Sequence, residues 1–104
     1  MVNPPDRPSD NAVVRGAELL KVLANPTRLG IILELEQNGE LCVHELTEAV
    51  GISQPLASQH LRHLREAKLI VGRREGKEIR YTIADHHVTH IVHDAIGHAQ
   101  EAPQ

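Results

Sequence analysis

Residues 43–82 read VHELTEAVGISQPLASQHLRHLREAKLIVGRREGKEIRYT, and the order of apolar and breaker residues within them decides the fold. Leu46, Ala49 and Val50 are the apolar positions of a short helix over 42–50, and Gly51 fits its C-terminal stop. Ser53 then caps a helix over 54–67. Pro55 is tolerated in its first turn, where the backbone N–H has no helical partner. Leu56, Leu61 and Leu64 give this helix its expected inward face. Helix, tight glycine turn and helix make a helix-turn-helix unit. The texture then changes. Leu69-Ile70-Val71 and the run Ile79 to Ile83 are β-type segments around Gly72 and Gly76, so a two-stranded hairpin with a basic tip is expected. A hairpin directly after a helix-turn-helix is a winged-helix pattern.

Working outward, residues 1–10 hold three of the six prolines and no periodicity, and are expected to form a flexible arm. From Asn11 the pattern is helical, with Val14, Ala17, Leu20, Val22 and Leu23 mostly on one stripe. Asn25-Pro26 restarts a helix through Leu29, Ile32, Leu33 and Leu35, ending at Asn38-Gly39. Beyond the hairpin, a last helix runs from Asp85 to about Glu101, before Pro103. The expected fold is mainly α with a β-hairpin wing, in the order α-α-α-α-β-β-α, with one winged helix-turn-helix domain over 11–102.

Composition narrows the function. The 104 residues contain one aromatic, Tyr81, eight His and one Cys. Stacking platforms for single-stranded nucleic acid and aromatic cages need several rings. A disulfide framework or a Cys-rich zinc finger needs several thiols. No apolar run approaches a membrane span and no signal pattern opens the chain, so a cytoplasmic protein is expected. The net charge of −3 is unevenly spread: residues 53–82 carry seven basic and three acidic side chains, and the remainder four basic and eleven acidic. That basic block is either a polyanion-binding face or an ordinary solvated surface.

Five of the eight His lie in the last helix. At about 100° per residue, Val88, Val92, Ala95, Ile96 and Ala99 form an apolar arc, while His86, His90 and His93 face away from it. His87, His98 and Glu101 fall along the edge of the arc. His87 and His98 are eleven residues apart, about 16 Å along the helix, too far to share one ion with bonds of about 2 Å. Two such helices packed antiparallel across a two-fold axis would bring Asp85 and His87 of one to His98 and Glu101 of the other. Two imidazoles and two carboxylates suit tetrahedral Zn²⁺. Taken singly, Asp85 is an N-cap, and the His98/Glu101 spacing arises readily by chance.

Three stretches resemble the ArsR/SmtB family of metal-responsive repressors, over about residues 14–102. NPTRLGIIL at 25–33 is similar to the family's second helix. SQPLASQHLRHLR at 53–65, followed by GRREGKEIRY, is similar to its recognition helix and wing. Asp85, His87, His98 and Glu101 match its C-terminal-helix zinc motif at all four positions. The resemblance implies a homodimer whose metal-free form binds an inverted-repeat operator in double-stranded DNA. Zn²⁺, with Co²⁺, Cd²⁺ or Ni²⁺ as substitutes, would bind two inter-subunit sites and lower DNA affinity, derepressing efflux or storage genes. It also implies a contact from a ligand imidazole to backbone near Lys68. Cys42 and Glu45 match positions that ligate soft metals in some relatives, but the second Cys of arsenic sensors and any Cys or His in the arm are missing, so Cys42 is read as a small core residue or vestigial ligand.

The expected DNA-contacting residues are Ser53, Gln54, Pro55, Ser58, Gln59, His60, Arg62 and Arg65 of the recognition helix, with Arg73, Arg74 and Lys77 of the wing reaching phosphates or a minor groove. Pro55 stands where many relatives have a polar contact residue. Three rivals remain. A zinc hydrolase would need an open coordination position, which four protein ligands close. A winged-helix protein-interaction module is at odds with the basic block. A nickel or cobalt sensor of the same family would recruit His86, His90 or His93 as extra ligands.

Overall fold

The computed structural model describes residues 7–101; residues 1–6 of the arm expected over 1–10 lie outside them. Helix α1 spans Asp10–Leu23, α2 Pro26–Asn38, α3 Val43–Val50, α4 Gln54–Glu66 and α5 His86–Glu101. Strands β2 (Ile70–Glu75) and β3 (Glu78–Ile83) form the hairpin, and β1 (Leu41–Cys42) adds a third antiparallel strand in the order β1-β3-β2. The winged helix-turn-helix order expected from sequence is present, with two corrections. The helix begins at Asp10, inside the span assigned to the arm, because Ser9 Oγ accepts the Ala12 N–H at 3.1 Å. The two-residue β1 was not expected; Leu41 and Cys42 pair with Tyr81 and Arg80, a long-range pairing that two residues cannot announce by alternation.

The starts of α1, α2 and α4 have side-chain caps. Asn25 Oδ1 accepts the Arg28 N–H at 3.1 Å with Pro26 next to it, and Ser53 Oγ accepts the Leu56 N–H at 3.3 Å. At α3 the arrangement is inverted: the Glu45 side chain accepts the Cys42 N–H at 2.9 Å. Gly51 sits at φ +79 between α3 and α4, a backbone conformation that L side chains resist, which sets the tight turn of the helix-turn-helix. The end of α4 uses the same conformation without glycine. Lys68 has φ +63, with the Lys68 N–H on the Arg65 carbonyl at 2.9 Å and the Leu69 N–H on the Leu64 carbonyl at 3.0 Å.

The core joins Leu23 of α1, Ile31, Ile32 and Leu35 of α2, Leu46 of α3, Leu61 and Leu64 of α4, Leu69, Ile70 and Tyr81 around the hairpin, and Val88 and Val92 of α5. In α4 the inward positions are Ala57, His60, Leu61 and Leu64, spaced as one helical stripe. Leu56, expected inside, is 40% exposed because it lies one residue off that stripe. The one aromatic side chain packs across the wing. Tyr81 pairs with Gly72, and a Cβ at Gly72 would meet Tyr81 Cε1 at 3.2 Å and Ile79 Cγ2 at 3.0 Å, so a larger residue there would have to displace the ring by a few tenths of an ångström.

Candidate nucleic-acid interface and metal centre

On α4, at about 100° per residue, Gln54, Pro55, Ser58, Gln59, Arg62 and Arg65 occupy one arc of about 140°, opposite the buried stripe. All six are exposed, as is the cap Ser53. Their amides, hydroxyls and guanidinium groups are hydrogen-bonding groups suited to base edges and phosphates.

His60 does not belong with them. It is 9% exposed and turned inward, where Nδ1 accepts a 2.9 Å hydrogen bond from Arg28 Nε. This corrects the expectation that His60 reads DNA: its position is three residues from Ala57, on the inward stripe. Arg28 Nη1 also donates to the Val22 carbonyl at 3.2 Å, and Arg28 Nη2 lies 3.2 Å from His63 Nδ1. One guanidinium thus ties the end of α1 to the start of α2 and to α4. Burial first, then the Arg28 and His63 charges, push the His60 imidazole below its ordinary pKa.

The wing side chains Arg73, Arg74 and Lys77 are exposed, but Arg73 is already paired. Its Nη2 lies 2.9 Å from Glu40 Oε2 and its Nη1 3.2 Å from Glu75 Oε2. Arg80 Nε reaches Glu40 Oε1 at 3.3 Å, and Arg80 Nη1 reaches Glu45 Oε1 at 3.5 Å. The hydrogen bond from Arg73 is the main cause holding the Glu40 carboxyl below the usual range. A cleft of about 390 Å³ separates α4 from the wing, lined by Gln54, Ser58, Lys77 and His44 among others.

At the start of α5, Asp85 Oδ1 accepts the His87 backbone N–H at 2.9 Å and lies 3.2 Å from His87 Nδ1. Desolvation opposes ionisation of Asp85, but the hydrogen bonds from His87 outweigh it and hold the carboxyl below its ordinary pKa. His98 and Glu101 stand exposed at the far end of the same helix. Within one chain the structure brings Asp85 to His87 and leaves the other two apart; no three His, Cys, Asp or Glu side chains converge among the described residues. Cys42 is buried, and Glu45 is turned to the Cys42 N–H and Arg80. His93, expected to face solvent alone, is half-exposed and meets Glu36 of α2. Arg28, Glu36 and Glu40 were not singled out from sequence, since each acts through a partner more than thirty residues away.

A model of the arsR family of bacterial regulatory proteins matches residues 25–71, from α2 into β2. The chain is 45% identical over 97 residues to the HTH-type transcriptional repressor SmtB of Mycobacterium tuberculosis, covering 93% of this chain and 71% of that one. The chain belongs to the ArsR/SmtB family. It is also 41% identical over 99 residues to the M. tuberculosis transcriptional regulator NmtR, covering 94% of this chain and 82% of that one. Among solved structures, the homodimeric winged helix-turn-helix DNA-binding domain of a Mycobacterium bovis protein superposes with a TM-score of 0.82 at 32% identity, covering 100% of this chain and 94% of that one. As an ArsR/SmtB member the chain is a DNA-binding transcriptional regulator with a winged helix-turn-helix fold. No helix among its described residues is long and apolar enough to cross a membrane.

Proposed function

We propose that this ArsR/SmtB protein is a zinc-responsive repressor: its metal-free dimer binds an inverted-repeat operator, and zinc at two inter-subunit sites weakens that binding. The observation that carries the reading is the pairing of Asp85 with His87 at one end of α5, with His98 and Glu101 exposed at the other. Each end offers one imidazole and one carboxylate, half of a tetrahedral donor set. An antiparallel partner helix supplies the other half, and the bound ion would cross-link the two chains. A partner is further supported by α1, where Val13, Val14 and Leu20 are each more than half exposed. Ala17 and Gly16 lie between Val13 and Leu20 on the same stripe, small enough for close helix approach. A Staphylococcus aureus relative named as a cadmium-resistance regulator supports metal as the signal.

The recognition helix would enter the major groove with Gln54, Ser58 and Gln59 at base edges, while Ser53, Pro55, Arg62 and Arg65 flank them and Arg74, Lys77 and Arg73 approach the backbone. Linkage requires operator DNA to lower zinc affinity by the factor by which zinc lowers DNA affinity. The test is fluorescence anisotropy on an inverted-repeat duplex that the metal-free protein selects from a random pool, with Zn²⁺, Co²⁺, Ni²⁺ and Cd²⁺ in separate arms. Zinc is expected to weaken binding by about 5–150-fold, and His98→Ala to bind the duplex but ignore zinc. Loss of metal-free DNA binding in His98→Ala would make His98 a structural residue instead.

A further inference from the structure

We infer that His86 and His90 form a second metal clamp, complete within one chain and sharing no residue with the proposed inter-subunit site. The two imidazoles stand one helical turn apart on α5, with ring centroids 5.8 Å apart and planes at 79°. Both side chains are exposed. Neither has a hydrogen-bond partner among the described residues, whereas His93, the next histidine of that face, is engaged by Glu36. The stripe of three that the sequence suggests is therefore a pair.

The separation suits chelation. A ring nitrogen about 2.1 Å from a metal puts the ring centroid about 3.2 Å from it, and two such rings at a tetrahedral angle have centroids about 5.2 Å apart. A small side-chain rotation closes the remaining gap from 5.8 Å. Two neutral imidazoles with water in the other positions suit borderline divalent cations, Cu²⁺, Ni²⁺ and Zn²⁺. Holding the second ring in place raises its effective concentration, so the pair binds more tightly than either ring alone. The clamp also has a neighbour. His86 stacks on His87 with centroids 4.3 Å apart, so a captured ion waits beside a residue of the inter-subunit site; that last consequence alone rests on the proposed function.

The experiment is equilibrium dialysis of full-length protein against Zn²⁺ at neutral pH, with helix content followed by circular dichroism. In the His98→Ala background one weak ion per chain is expected to remain. Adding His86→Ala and His90→Ala should weaken it at least tenfold, whereas adding His93→Ala should change it less than twofold. Absence of that ion in His98→Ala, its retention when His86 and His90 are both replaced, or equal loss with His93→Ala would overturn the clamp. The tight class reports separately: its persistence in His98→Ala would count against the inter-subunit site while leaving the clamp to stand or fall on the other variants.

Discussion

Arg28 of α2 and His60 of α4 are joined by a 2.9 Å hydrogen bond in which the guanidinium Nε donates to an imidazole Nδ1 that must be unprotonated to accept it. Helix α4 therefore rests on a pairing that depends on the neutrality of one histidine. His60 has a depressed pKa in the fold, so the stability it contributes is fully present above its ordinary value of 6.5 and is lost as pH falls through the folded pKa. Urea midpoints measured from pH 8 down to pH 5 should fall most steeply below about 6.5. His60→Gln, whose amide oxygen can accept from Arg28 at every pH, should flatten that slope; an unchanged slope would show that other groups govern it.

Arg28→Ala should destabilise the fold by about 1–3 kcal/mol, because it strips partners from His60, His63 and the Val22 carbonyl together. Arg28→Lys should recover little of this, since an ammonium cannot reproduce a planar fork reaching three acceptors. Chemical denaturation measures both.

Lys68→Gly should stabilise by about 0.5–1 kcal/mol, since a left-handed conformation at φ +63 suits glycine better than lysine. A raised denaturation midpoint with an unchanged m-value is the expected signature.

Gly72→Val should cost about 1–3 kcal/mol, because its side chain would enter the space held by Tyr81 and Ile79. Thermal unfolding measures the loss.

Replacing both carboxylates that pair with Arg73, Glu40→Gln with Glu75→Gln, should raise DNA affinity at low salt and steepen the salt dependence by about one phosphate contact, by freeing Arg73 for the DNA backbone. Gln54→Ala should instead cost about 1–3 kcal/mol of binding specific to one base position, with little change in salt slope. Anisotropy titrations across a salt series separate the two effects.

Much of the fold was legible in local signals. Asn25-Pro26, Ser53 and Gly51 marked helix ends by capping and turn chemistry that needs no distant partner. Helical periodicity placed Leu61 and Leu64 inside but misassigned Leu56 and His60, because Ala57 is too small to advertise that it heads the buried stripe. A buried histidine is legible only with its partner, and Arg28 lies thirty-two residues earlier in the chain. Likewise the basic wing was visible as charge, while its neutralisation by Glu40 is a product of tertiary packing. The zinc-type spacing on α5 was visible as pattern, and the fold adds that Asp85 already leans on His87.

Tyr81 lies beneath the wing, 8% exposed and paired with Gly72, in a chain with no Trp and no Phe. Its emission therefore arises from one spot, at the joint between hairpin and core. Any rearrangement of the wing on loading metal or DNA can be followed there with unlabelled protein, and the fluorescence change assigns itself to a single ring.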